Sequence, residues 1–519
     1  MQRLDAMTNA IENINGSLFY YLDQFFSLFL LATIILLILG TLILYFIDKN
    51  QTNHSVRRNY PVIGRLRYLF EYLGHFFRQY FFSMDREELP FNRADRSWVY
   101  RAAKDIDTTI AFGSTRSLSH PKNIIFLNCP FPTRHTDVST TDAMLIGPFC
   151  HTPYHAQSLF NISGMSYGAI SKPAVIALSH GAKQANCWLN TGEGGISTYH
   201  LESGCDIIYQ IGTAKYGLRD MNGNFSQDKL KALASLTQIR MFEIKLSQGA
   251  KPGKGGILPA NKVSAEIANI RGIPEGEDSI SPNSHHDINS VSELLDYVEF
   301  IRSLTGKPVG FKLVMGEHRW LDQLCLAILN RGIEASPDFI TLDSADGGTV
   351  AAPQSLIDSM GLPLKQSLPL LSDKLSHYGL SDRIKIIASG KMITPADAAW
   401  ALCMGASFVV SARGFMFALG CIQALQCNKN TCPTGITTHN EKLQNGLDPT
   451  NKAQRVANYA TNLVREVGVI AHSCGVDEPR KLGREHVHIV DSNGVSQSAL
   501  DIHPYHKTET INATELQSI

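Results

Sequence analysis

Neither sign of charge predominates in this 519-residue chain, where 47 Lys and Arg stand against 47 Asp and Glu. That balance gives no reason to expect nucleic acid as a partner, though it leaves room for a local anion site. Cysteine is sparse: ten residues in a chain this long exclude a disulfide scaffold. Charged residues make up 18% and apolar ones 44%, which excludes a disordered chain. No G-x-G-x-x-G opens a helix after an expected strand, so the usual nicotinamide fingerprint is missing.

Charge is also missing from Gln24 to Ile47, and from Phe25 onward the run is apolar apart from Ser27, Thr33, Gly40 and Thr41. About 20 such residues cross the hydrocarbon core of a bilayer as a helix. A cleaved signal peptide fits less well, because no small-residue cleavage site follows. Arg3, Asp5, Glu12 and Asp23 precede the run; Lys49, Arg57, Arg58, Arg65 and Arg67 follow it, against the single acid Asp48. The positive side stays inside, so the expectation is a single-pass protein of the inner membrane with its body in the cytoplasm. The expected segments are residues 1–23 outside, 24–47 spanning and 48–109 juxtamembrane. From Tyr60 to Phe82 aromatics alternate with Arg. Such a stretch is either a helix at the membrane interface or an amphipathic helix packed on the body.

From about residue 156, short apolar runs alternate with helical segments. The expected strands are Ser158–Ser163, Cys187–Asn190, Ile207–Ile211, Met241–Leu246, Val309–Val314, Phe339–Leu342, Ile384–Ala388 and Phe408–Ser411. Eight such units predict an α/β fold, a (β/α)8 TIM barrel with its chemistry on the loops after the strands. A doubly wound open sheet is the alternative. Gly-rich loops follow the strands: GMSYG at 164–168, NTGEGG at 190–195, SQGAKPGKGG at 247–256 and DSADGGT at 343–349, which holds Gly347 and Gly348. Glycine lets backbone amides approach a ligand closely, and so many on one face point to a large anionic ligand. After the seventh and eighth strands come Ser389-Gly390-Lys391 and Ala412-Arg413-Gly414. In barrels these two loops commonly hold a phosphate.

Cys421, Cys427 and Cys432 form C-x5-C-x4-C, followed by Pro433. Structural zinc wants four ligands, and His439 lies outside the usual spacing. Three thiolates suit an iron–sulfur cluster; three unligated core cysteines are the alternative.

The motifs GMSYGAISKPA, LNTGEGG, LSQGAKPGKGG, SPNSHHDINS, ADGGT and GCIQALQCNKNTCPTG occur in that order. Together they resemble the FMN-binding domain of glutamate synthase over about residues 110–475, leaving 476–519 as a C-terminal tail. More closely, the chain resembles short stand-alone glutamate-synthase-like proteins with an N-terminal membrane span. The resemblance implies FMN, a 3Fe–4S cluster on Cys421, Cys427 and Cys432, and an oxidoreductase of the CH–NH2 class that reduces 2-iminoglutarate to glutamate. It places Met165 and Ser166 beside the flavin ring, and Gln210 and Lys312 at its pyrimidine edge. Glu193, Lys251 and Arg271 match residues associated with 2-oxoglutarate; for Glu193 a structural anchor for the loop amides is the alternative. A buried lysine makes physical sense there, because reduced flavin carries negative charge near N1. The missing nicotinamide fingerprint implies a protein electron donor.

The departures are informative. Ile257 stands where the full-length enzymes have a substrate-contacting glutamine, and Ser389-Gly390-Lys391 stands where they have Asp-Gly-Gly. No cysteine precedes Cys129, so the N-terminal nucleophile of the amidotransferase domain is missing. The expectations are therefore a membrane-anchored FMN and iron–sulfur enzyme acting on 2-iminoglutarate, one acting on another keto or imino acid, or an electron-transfer module without turnover.

Overall fold

The computed structural model describes residues 2–505 apart from His135, Thr140 and Met221. Two compact units result, Met1–Arg93 and Ala94–Ile519.

In the first unit a single helix runs Gln2–Asn50 without a break between residues 23 and 24, so the outer segment and the span expected there form one element. The stretch Phe19–Asn50 is long and apolar enough to cross a membrane, with a mean hydropathy of 2.8 in its most apolar window, none of which is buried. Helices Ser55–Asn59 and Gly64–Phe77 follow, then a π-helical turn Arg78–Phe82. Asp48 ties this segment to the long helix. Its carboxylate accepts from Arg65 Nε and Nη2, both at 2.8 Å, and from the Val62 amide at 3.0 Å. Phe70, Tyr72, Phe81 and Phe82 are exposed.

The second unit is built on a closed barrel of eight parallel strands: β1 Phe160–Ile162, β2 Leu189–Asn190, β3 Ile207–Ile211, β4 Ile239–Lys245, β5 Val309–Val314, β6 Phe339–Asp343, β7 Lys385–Ser389 and β8 Phe408–Ser411. Each strand pairs with its sequence neighbours, and β8 closes on β1 through Val409–Phe160, Val410–Asn161 and Ser411–Ile162. The strands are buried on both faces, which is why they read as apolar runs. Helices such as Lys172–Gln184, Trp320–Arg331 and Pro395–Cys403 return the chain between strands.

An antiparallel hairpin, Met144–Ile146 with Tyr154–Ala156, seals the N-terminal end of the barrel. Its Ile146, Tyr154 and Ala156 pack with Trp188, Ile208, Met241, Phe339, Ile387 and Phe408, which lie in the lower part of the barrel. Beneath the barrel, buried Asp338 accepts from the Val309 amide at 2.8 Å and pairs with Arg302 at 3.2 Å and Arg383 at 2.8 Å. The segment expected as a C-terminal tail carries strands Val487–Val490 and Ser496–Ser498, the first pairing with Ile124–Phe126. Residues 506–519 of that expected tail lie outside the described residues.

Candidate active site

Hydrophobic side chains fill the lower barrel, and polar ones take over at the C-terminal strand ends. They surround an open cavity of ≈ 850 Å³ lined by Met165, Ser166, Glu193, Gln210, Lys251 and Arg271, among others. A second hollow of ≈ 500 Å³ shares Gln210, Lys245, Gly348, Ala412 and Arg413 with it, and adds Lys312, Ser389 and Gly390. Residues expected from all eight strand ends therefore meet in one mouth. Gly347 is the exception. It packs against Gly249 and Ser344 and shapes the loop rather than the cavity wall.

Lys312 lies inside β5, where its neighbours across the ladder are Lys245 and Thr341. Its ammonium is buried and sits 3.1 Å from Asp343 Oδ2. Burial works against the charge, but Asp343 and Glu243 outweigh it and hold the ammonium above the ordinary lysine range. Asp343 is itself fixed by Ser389 Oγ and the Gly249 amide, both donating at 2.9 Å. Glu243 is fully committed as well. It accepts from Asn190 Nδ2 at 2.8 Å, Gln210 Nε2 at 2.6 Å and Thr341 Oγ1 at 2.5 Å. Because Gln210 donates inward to Glu243, its amide oxygen is left to accept from a ligand's N–H.

A second charge group occupies the other end. Glu193 Oε1 takes Lys245 Nζ at 2.7 Å, and Lys245 also donates to Gln248 at 2.5 Å. Burial raises the Glu193 carboxyl, yet Lys245, Lys251 and Arg271 together hold it below the usual range. Lys251 is pushed down to about 8 by burial and by the Lys245 charge. Among the described residues its ammonium makes no hydrogen bond, so it is available to an anion. Arg271 donates to Ser279 Oγ at 3.0 Å and the Tyr167 carbonyl at 3.4 Å, and its Nε is buried without a partner. Gly192 explains how Glu193 arrives there. With φ +64°, a Cβ on it would fall 2.5 Å from the Ser166 amide nitrogen, so the two loops close only on glycine.

A family model described as a conserved region in glutamate synthase matches residues 137–477. The chain belongs to the glutamate synthase family. It is 39% identical over 483 residues to the glutamate synthase large subunit-like protein YerD of Bacillus subtilis, covering 86% of this chain and 91% of that one. It is 34% identical over 324 residues to the archaeal glutamate synthase [NADPH] of Methanocaldococcus jannaschii, covering 62% of this chain and 60% of the archaeal enzyme. Among solved structures, a mandelate oxidase variant with 2-hydroxy-phenylacetamide aligns at 15% identity with a TM-score of 0.44, over 76% of this chain and 98% of that one.

The three clustered cysteines gather beside the mouth. Cys421, Cys427 and Cys432 line one hollow of ≈ 330 Å³, whose Arg413, Met416 and Thr437 also line the main cavity. Among the described residues no group of His, Cys, Asp or Glu closes tightly enough for a single metal ion. Three soft donors around one hollow, without a hard ligand, fit a cluster better than an ion. Burial pushes the Cys421 thiol up to about 11, whereas hydrogen bonds from Thr434 and Thr437 outweigh burial at Cys432 and lower it. Arg413 joins the two spaces. Its guanidinium donates to the Thr349 carbonyl and comes within 3.9 Å of Cys427 Sγ.

The main cavity fits FMN in its polar edges. Gln210 and Lys312 offer an acceptor and a cation to a pyrimidine ring. The loops at Ser389–Gly390 and Ala412–Arg413 line the adjoining hollow, where a phosphate would go. Gly390, at φ +105°, has no room for a Cβ, which would collide with the Ser344 side chain. Asp343, Glu243 and Lys245 are site residues that sequence reading missed. Glu243 and Lys245 carried a usable signal, as charges inside the apolar run Ile239–Lys245.

Proposed function

We propose that this chain is an FMN-dependent oxidoreductase that reduces 2-iminoglutarate, formed from 2-oxoglutarate and ammonia, to glutamate. Membership of the glutamate synthase family supports the reaction class. The observation that carries the reading is the pairing, across two adjoining hollows with shared walls, of a buried cation at a flavin edge with cations suited to a carboxylate. FMN, when bound, supplies a hydride. Gln210 accepts from the ring's N–H, and Lys312 holds a positive charge where the reduced ring is negative. Lys251 and Arg271 bind and orient the substrate carboxylates, and Glu193 with Lys245 fixes the loop between them. Ile257, on the cavity wall, favours a second reading in which the substrate is another keto or imino acid with less polarity at that point.

Electrons arrive singly from a protein donor through a cluster on Cys421, Cys427 and Cys432. The helix Phe19–Asn50 anchors the enzyme in the membrane, with the basic side and the barrel in the cytoplasm. The test is anaerobic reoxidation of the reduced protein by 2-oxoglutarate plus ammonia, against a panel of keto acids. Yellow protein yielding FMN on extraction, with fastest reoxidation by 2-oxoglutarate and ammonia, is the expected result. Absence of flavin overturns the enzyme class; faster turnover of another keto acid selects the second reading.

A further inference from the structure

Lys262 is a buried cation that the reaction described above does not use. It ends the 3-10 turn Ala260–Lys262, on the same connection that carries Lys251, Ile257 and Arg271. The side chain is 1% exposed. Its ammonium donates to the carbonyl of Cys427 at 2.7 Å and to that of Thr437 at 2.6 Å. Among the described residues no carboxylate forms an ion pair with it. An ammonium held in the interior by neutral carbonyls alone is costly, because burying an unpaired charge is among the most unfavourable arrangements in a protein. Its partner Cys427 lines one hollow with Cys421 and Cys432. A free thiol is neutral at ordinary pH, but a thiol that ligates iron is a thiolate. Cysteines that ligate iron would therefore offset the part of the cost of burying Lys262 that its two carbonyl partners leave.

We propose that Lys262 is the counter-charge of the cluster, a positioning residue that clasps the substrate-side connection to the cysteine loop and raises the cluster's reduction potential. The inference rests on the cluster reading of Cys421, Cys427 and Cys432. It also gives the clasp a direction. Adding an electron to a cluster makes it more negative, so a cation two hydrogen bonds from its ligand loop favours the reduced state. The neighbouring contact from Asn430 Nδ2 to the Asn261 carbonyl, at 3.0 Å, holds the same two segments together without charge.

Lys262→Gln tests the charge separately from the clasp, because glutamine keeps an N–H donor for a carbonyl. The full chain is purified without oxygen, and iron, sulfide and FMN are counted. The cluster potential is then read by electron paramagnetic resonance during a redox titration. The expected result is wild-type FMN content and a cluster about tenfold harder to reduce, which a one-electron couple reads as a fall of about 59 mV. Loss of iron from Lys262→Gln with FMN retained, restored by Lys262→Arg, also supports a charge requirement. An unchanged potential at full iron content overturns the counter-charge and leaves the cluster reading intact. Wild-type protein without iron and sulfide overturns the cluster reading, and this inference with it. If the glutamine variant does not fold, as judged by lost FMN, the arginine variant decides: full iron with a wild-type potential supports the charge, and a potential tenfold displaced overturns it.

Discussion

Replacing Lys312 by methionine should separate two roles of one charge. The side chain is nearly isosteric, so packing inside β5 survives while the ammonium goes. Asp343, 3.1 Å away, loses its cation but keeps Ser389 Oγ and the Gly249 amide. Glu243 keeps its three donors. Breaking a buried pair by removing one partner costs about 3–5 kcal/mol, so the variant should unfold at lower temperature. The effect on the flavin is a separate quantity. A unit charge about 4 Å from the reduced ring is worth about 4 kcal/mol at an effective dielectric of about 20. A two-electron couple reports about 30 mV per 1.4 kcal/mol, which sets about 90 mV as the upper limit of the fall in potential. Relaxation and water entry reduce it, and a fall of about 30–90 mV with FMN retained is the expected outcome. A dye-equilibration titration of the purified variant measures it. The double variant Lys312→Met with Asp343→Asn should regain most of the stability but not the potential. A potential unchanged from wild type would place Lys312 away from the flavin and refute the assignment of the pyrimidine edge to β3 and β5.

Three other outcomes follow from charges elsewhere. Lys251 titrates at about 8, so affinity for an anionic keto acid should be flat below that pH and weaken about tenfold per unit above it. Unfolding cannot mimic this: an unfolded lysine holds its proton more tightly between about 8 and 10.5, so the Lys251 contribution to stability rises across that window. KM profiles of wild type and Lys251→Met check it, and a flat wild-type profile refutes the role. Asp338→Asn should cost about 3–5 kcal/mol by leaving Arg302 and Arg383 without their shared carboxylate; an unchanged denaturation midpoint would contradict this. Protease added to intact spheroplasts should spare the barrel, and its digestion there would reverse the proposed membrane orientation.

The barrel was legible because parallel strands covered by helices are apolar along their whole length. Expected Phe339–Leu342 became Phe339–Asp343, and expected Met241–Leu246 became Ile239–Lys245, differences confined to strand ends. The sealing hairpin and the C-terminal strands were not legible. Each is only three or four residues long, too short to display a period, and Ile124–Phe126 finds its partner more than 350 residues later. In the site, the positions of Lys312, Glu193 and the glycine loops could be read because charge or glycine interrupts an apolar pattern. Their partners could not. That Lys312 meets Asp343 rather than another acid depends on β5 and β6 being neighbours in the ladder, a fact of closure that no local window contains.

The two charge groups also impose a direction on the cavity. Around Lys312, one cation faces two carboxylates, Asp343 and Glu243. Around Glu193, three cations, Lys245, Lys251 and Arg271, face one. An anionic substrate is therefore drawn toward the Lys251 and Arg271 end and repelled from the Lys312 end. Reduction of the flavin would add a further negative charge at the Lys312 end. In the proposed reaction the carboxylate of a bound imino acid would point away from the pyrimidine edge, leaving the carbon beside it to face the flavin. Ile257 lies on the wall of the cation-rich side, with Leu258 and Ser281. Exchanging a polar group for isoleucine there leaves the orienting charges in place and alters what the substrate can carry beyond its carboxylate. The proposed reaction class draws its support from the charge pattern, and the proposed choice among keto acids from that one wall.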